Sequence, residues 1–211
     1  MTLYFAPLEG VTDAVFRRIH HECFPGVSKY FIPFISPTQN LAFTSRDWAA
    51  IAPENNIGVP AVPQLLAKDA ALFLWAAQAL CDMGYLEVNL NLGCPSGTVT
   101  AKGKGSGLLA DVPALERLLD GIFEKPPIPV SIKTRIGYAH VEEWDRLLDV
   151  FARYPTHELI IHPRTRAEFY RGTPHADAFA KAYGTLGMPL CYNGDLFSEA
   201  DCLELTRHFP N

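Results

Sequence analysis

The chain has 211 residues, 48% of them hydrophobic and 19% charged, and a formal net charge of −5. That length and apolar share can bury one sizeable core and exclude a disordered or low-complexity chain. The negative balance excludes a global polyanion-binding field, so any nucleic-acid contact has to come from a local basic patch.

The five cysteines, Cys23, Cys81, Cys94, Cys191 and Cys202, are odd in number and scattered, with no Cys-x-x-Cys pair and no Cys/His cluster. Neither a disulfide framework nor a metal site is expected, and a reducing cytoplasm is the expected compartment. The opening MTLYFAPLEG has no basic segment and no long apolar core, so it does not read as a signal peptide. The longest apolar run, Ala70 to Cys81, is broken by Gln78 and falls short of the roughly 20 residues of a membrane span. No membrane partner is expected.

Short β-like runs alternate with amphipathic helical patterns, which predicts a parallel α/β fold. The strand candidates are Leu3–Ala6, Tyr30–Ile35 (interrupted by Pro33), Ala61–Leu65, Leu86–Asn91, Val130–Thr134, Glu158–His162 and Leu190–Asn193. Between them, Val15, Phe16 and Ile19 form an apolar helix face behind Asp13, and Leu72, Phe73, Ala76, Leu80 and Met83 form the next. Leu115, Leu118, Leu119, Ile122 and Phe123 follow the i, i+3, i+4, i+7, i+8 rule after Asp111 and Pro113. Trp144, Leu147, Leu148 and Phe151 repeat the pattern, and Ser198-x-x-Asp201 opens a terminal helix carrying Leu203. These stripes are expected to be core, in one domain spanning residues 1–211.

Polar residues follow each strand but the second: Pro7, Leu8 and Glu9; Gln64; Asn91 and Cys94; Lys133 and Arg135; His162 and Arg164; Asn193, Gly194 and Asp195. A TIM (β/α)8-type barrel builds its active face from strand ends in this way, whereas a doubly wound sheet concentrates its ligand at one switch point. About seven βα units are present, so the predicted barrel is incomplete. Gln64, Asn91 and Asn193 supply donors and acceptors suited to the imide edge of a planar heterocycle, and Lys133 can stabilise negative charge developing on it. No GxGxxG follows the first strand, so no Rossmann nucleotide site is indicated.

The richest stretch is NLGCPSGTVTAKGKGSGLL, residues 91–109, in which Gly93 and Pro95 force a turn that presents the Cys94 thiol. It resembles the cysteine loop of the tRNA-dihydrouridine synthases, flavoenzymes that reduce the 5,6 double bond of uridine in tRNA. The segments APLEGVTD at Ala6–Asp13, Gln64, SIKTRIG at Ser131–Gly137, IHPRTR at Ile161–Arg166 and NGD at Asn193–Asp195 extend the resemblance in the same order. It departs at Leu8, where methionine is usual, and at Pro163, where glycine is usual.

The resemblance implies FMN as cofactor, lined by Pro7, Leu8 and Glu9 and contacted by Gln64, Asn91, Lys133, His162, Asn193, Gly194 and Asp195. It implies NADPH as reductant, hydride transfer from reduced FMN to C6 of uracil, and protonation of C5 by Cys94. A thiol suits that role, because its ordinary pKa of about 8.5 keeps it protonated yet acidic enough to donate to an enolate-like carbon. For the tRNA partner, Lys102, Lys104, Arg135 and Arg164 are the candidate phosphate or base contacts. The family's eighth strand and helical tRNA-binding domain are not found, so a truncated form is expected. Two other readings stay open: another FMN barrel oxidoreductase resembling dihydroorotate dehydrogenase, and a non-catalytic RNA-binding remnant barrel.

Overall fold

The computed structural model describes residues 1–210. The strands are β1 (Leu3–Phe5), β2 (Val27–Ile35), β3 (Ala61–Leu65), β4 (Val88–Leu92), β5 (Val130–Gly137), β6 (Leu159–Thr165) and β7 (Leu190–Tyr192), within one or a few residues of the expected runs. They follow one another in the sheet in chain order. The pairs β1–β2, β2–β3, β3–β4, β5–β6 and β6–β7 are parallel. Sequential order without a reversal separates a (β/α)8-type barrel from a doubly wound sheet, so the fold is the expected incomplete barrel class.

Three strands contain a proline, which cannot donate to a ladder: Pro33 in β2, Pro63 in β3 and Pro163 in β6. All three lie at or next to an irregularity, Pro63 as the partner of Ile32. The β2–β3 register shifts between Ile32 and Ile35, around Pro33, and the β5–β6 register shifts between Arg135 and Gly137, opposite Pro163. Pairing of β6 with β7 has already ended at Ile161, so Pro163 removes no bond on that side either.

Two compact units divide the chain. One comprises Thr2–Asn91 and Arg117–Ser131; the other comprises Met1, Leu92–Glu116 and residues from Ile132 onward. In the first unit, helix α1 (Ala14–Cys23) is capped by Asp13, whose side chain accepts from Phe16 N. Helices α2 (Ser45–Ile51) and α3 (Ala70–Asp82) follow in the same unit; after β4 come α4 (Gly97–Thr100), which belongs to the other unit, and α5 (Val112–Glu124), which the division splits after Glu116. In the second unit, α6 (Glu143–Phe151) buries Trp144, Leu147, Leu148 and Phe151, and Trp144 Nε1 donates to Ala178 O of α7 (Ala176–Thr185) at 2.8 Å. Helix α8 (Glu199–His208) opens with the expected capping box at Ser198 and Asp201.

The apolar face expected on α1 is not core. Val15 and Ile19 are 60% and 48% exposed, whereas Arg17 is fully buried. Arg17 lies two residues from each, about 200° around the helix, so the helix seats on the opposite side from the apolar stripe. Its guanidinium donates to Thr12 O at 2.8 Å, to Ala50 O at 2.8 Å and to Asn56 Oδ1 at 2.7 Å. Burial pushes it down to about 10, where it is still a cation at neutral pH. Thr12 in turn closes on Leu8, whose N–H donates to Thr12 Oγ1 at 2.9 Å. Arg17 therefore anchors the Pro7–Asp13 turn. Replacing it with alanine leaves two buried acceptors, Thr12 O and Asn56 Oδ1, without this donor, at roughly 1–3 kcal/mol each, while Ala50 O keeps the Asn56 Nδ2 donor at 3.0 Å; the urea midpoint of Arg17→Ala is expected to fall by the equivalent of at least about 2 kcal/mol.

Candidate active site

The Cys94 thiol sits on a loop whose backbone is held from three directions within the second unit. Arg135 Nε donates to Gly93 O at 3.0 Å, Ser106 Oγ donates to Cys94 O at 2.7 Å, and Arg166 Nε donates to Pro95 O at 3.2 Å. Three consecutive carbonyls are thus engaged, while the cysteine itself stays half-buried. Gly105, at φ +55°, lets the returning chain approach: a Cβ there would stand 3.0 Å from Cys94 O and 3.1 Å from Cys94 Cβ.

Arg135, which holds this loop, is clustered with Lys133, His162 and Arg164. Arg135 also donates to Thr165 O at 2.9 Å and to Phe169 O at 2.7 Å. The Lys133 ammonium forms no salt bridge or hydrogen bond among the described residues, and although its side chain keeps some accessible surface, it is strongly desolvated. Burial pulls it down to about 8, helped by Arg135 and partly offset by Cys191. Burial and the cations Arg135, Lys133 and Arg164 drive His162 down to about 3 against the opposing pull of Asp195, so the ring is neutral near pH 7. Arg164 Nη1 lies 3.2 Å from His162 Nε2. A guanidinium can only donate, so Nε2 accepts and the ring proton resides on Nδ1.

Arg164 grips Asp195 with two bonds, Nη1 to Oδ1 at 2.8 Å and Nη2 to Oδ2 at 2.6 Å, which hold the Asp195 carboxyl below its usual range. Asp195 adopts φ 35°, and Asn193 N donates to Ile161 O at 2.9 Å, tying the end of β7 to β6. Gly194 passes close to His162, with its notional Cβ 3.6 Å from the ring.

In the first unit, Asn91 Nδ2 donates to Gln64 Oε1 at 2.6 Å, Gln64 Nε2 to Asn89 Oδ1 at 2.7 Å, and Asn89 Nδ2 to Ser131 Oγ at 2.8 Å. Gln64 and Asn91 are therefore joined in one buried amide chain. Asn89 and Ser131 complete it and were not anticipated, although Asn89 stands two residues from Asn91 and so on the same strand face. Pro7 is half-buried, while Leu8 and Glu9 are exposed, with Glu9 paired to Arg46 at 3.1 Å.

Of the cations expected to meet RNA, Lys102 is exposed and Lys104 half-buried. Arg135 and Arg164 are each 1% exposed. Their guanidinium groups are spent on internal acceptors, so they hold loops and do not face solvent. Ser106, Arg166 and Tyr170 also belong to the neighbourhood of the thiol, and periodicity alone gives no sign of their partners.

A sequence model described as dihydrouridine synthase matches residues 4–209. The chain belongs to the dihydrouridine synthase family. It is 35% identical over 210 residues to a probable tRNA-dihydrouridine synthase 1 of Synechocystis, covering 95% of this chain and 57% of that protein. It is 28% identical to a probable tRNA-dihydrouridine synthase of Rhodobacter capsulatus, covering 92% and 60%. It is 29% identical to tRNA-dihydrouridine synthase B of Pseudomonas syringae, covering 98% and 59%. The chain spans about three-fifths of the length of these dihydrouridine synthases. No helix among the described residues is long and apolar enough to cross a membrane.

The neutral His162 has a measurable consequence. Unfolded, the ring titrates near its ordinary value of about 6.5; folded, it titrates near 3. Between those values the unfolded chain binds the extra proton, so the native state loses stability as pH falls from about 6.5 towards 3. In His162→Gln, the stability-against-pH curve over this window is expected to be shallower by up to about 1.4 kcal/mol per pH unit, read by urea titration at successive pH values.

Proposed function

We propose that the chain is the FMN-binding catalytic domain, residues 1–211, of a tRNA-dihydrouridine synthase that reduces the C5–C6 bond of uridine in tRNA, with NADPH as reductant and the cytoplasm as its compartment. The observation that carries this reading is the Cys94 loop: a half-buried thiol on a backbone whose flanking carbonyls are all engaged. Such a thiol is placed to give a proton.

The cofactor assignment rests on Lys133. A desolvated ammonium without a carboxylate partner is costly unless a ligand supplies negative charge or electron density. We assign Lys133, His162, Asn193, Gly194 and Asp195 to FMN, and in the first unit Pro7, Leu8, Glu9, Gln64 and Asn91. When bound and reduced, FMN supplies a hydride for C6 of uracil. Lys133 stabilises the electron-rich side of the ring, and His162, neutral and protonated on Nδ1, offers one donor without adding charge. Cys94 donates its proton to C5, leaving a thiolate that recovers a proton from solvent. Hydride and proton together saturate the double bond.

Cys94→Ala is expected to retain flavin, seen in the visible spectrum of the purified protein, and to lose uridine reduction by about 10²–10⁴-fold, the usual worth of a positioned proton donor. NADPH oxidation assayed with unmodified tRNA and, separately, with orotate distinguishes this reaction from a dihydroorotate dehydrogenase; undiminished turnover of tRNA by Cys94→Ala would refute the proton role. For the RNA, we assign the exposed Lys102 to a phosphate, with Lys104 beside it. Lys102→Ala is expected to lower the slope of log affinity against log salt by roughly 0.7–0.9, one phosphate contact, without altering flavin content.

A further inference from the structure

The loop between β6 and α7 carries two exposed aromatic rings. Tyr170 is 69% exposed and Phe169 is 37% exposed. Burial does not explain their placement, since a tyrosine left so open recovers little of the apolar area that normally seats an aromatic ring. Phe169 moreover adopts φ 56°, a left-handed conformation that costs a residue with a Cβ. Arg135 holds it there by donating to Phe169 O at 2.7 Å.

Both rings lie against the guanidinium groups that hold the cysteine loop. Tyr170 is 5.3 Å from Arg135 Cζ, and Arg135 donates to the carbonyl just before Cys94. Phe169 and Tyr138 are 5.1 Å and 5.2 Å from Arg166 Cζ, and Arg166 donates to the carbonyl just after Cys94. The acidic group in this loop is already occupied: Glu168 accepts from Thr165 N and Oγ1 and lies 2.7 Å from His175 Nε2. What remains open is a shelf of aromatic faces backed by cations. That chemistry suits planar, π-rich groups on an anionic strand and disfavours an apolar peptide.

We infer that this shelf binds single-stranded RNA beside the thiol, with Tyr170 stacking the base next to the one presented to Cys94. The inference rests on the uridine-reductase reading, because it needs an RNA strand splayed at the site. Such stacking is sequence-tolerant, since every base has a π face.

The test uses the full chain and a short, end-labelled oligouridylate, with affinity read by fluorescence anisotropy at low and at near-physiological salt. Tyr170→Ala is expected to bind about 5- to 150-fold more weakly, equivalent to ~1–3 kcal/mol for one stacked base. Tyr170→Phe should stay within about twofold of the unaltered chain, and Tyr170→Leu should resemble the alanine variant; a ratio between variants that is the same at both salts identifies stacking and not phosphate contact. The phenylalanine and leucine variants decide the matter even if the alanine variant fails to fold. Alanine within about twofold of the unaltered chain, or leucine equal to phenylalanine, overturns the shelf alone and leaves the reductase reading standing. Failure of the unaltered chain to bind the oligonucleotide removes the RNA reading and the shelf together.

Discussion

The structure around the thiol depends on one buried guanidinium. Arg135 is 1% exposed, and its donors go to the carbonyls of Gly93, Thr165 and Phe169. Each bond from a charged donor is worth about 1.5–3 kcal/mol, so three contribute roughly 5–9 kcal/mol gross. Desolvating the ion costs several kcal/mol in return. The balance is small, and the gain is positional: one side chain fixes the start of the cysteine loop, the end of β6 and the loop that carries Tyr170.

The same cation sets the electrostatics of its surroundings. With Lys133 and Arg164 it keeps His162 neutral, and Asp195 answers only part of this charge because both its oxygens are bonded to Arg164. A chain of net charge −5 therefore contains an interior region where positive charge is in excess. It lies at the strand ends, on guanidinium groups spent on internal acceptors, while Lys102 is exposed and Lys104 half-buried.

The strand plan was legible because hydrophobic runs and turn residues act over a few neighbours. All seven runs appear, and the prolines of β2, β3 and β6 are met by register shifts between β2 and β3 and between β5 and β6. Polar residues at strand ends were legible for the same reason. Their partners were not. Nothing local to Arg135 and Arg164 says that they turn inward to carbonyls and Asp195 and not outward to phosphate, and nothing local to Gln64 says that its amide meets Asn89 and Asn91. Helix α1 misled for a related reason: its most apolar stripe, Val15 and Ile19, stays open because Arg17 found better partners on the other side. Helix α7 escaped notice because small residues, Ala178 and Ala182, carry much of its buried face.

Holding three consecutive carbonyls matters for the chemistry because of the size of the effects involved. Fixing a residue's backbone costs about 1–2 kcal/mol, so ordering Gly93 to Pro95 at the moment of reaction would cost about 3–6 kcal/mol. A positioned proton donor contributes about 10²–10⁴-fold, which is roughly 3–5 kcal/mol. A thiol on an unrestrained loop would lose nearly all of its advantage to that ordering. Arg135, Ser106 and Arg166 shift the cost into folding, where the rest of the unit absorbs it, so that for the proton-donor role proposed here Cys94 is already in place.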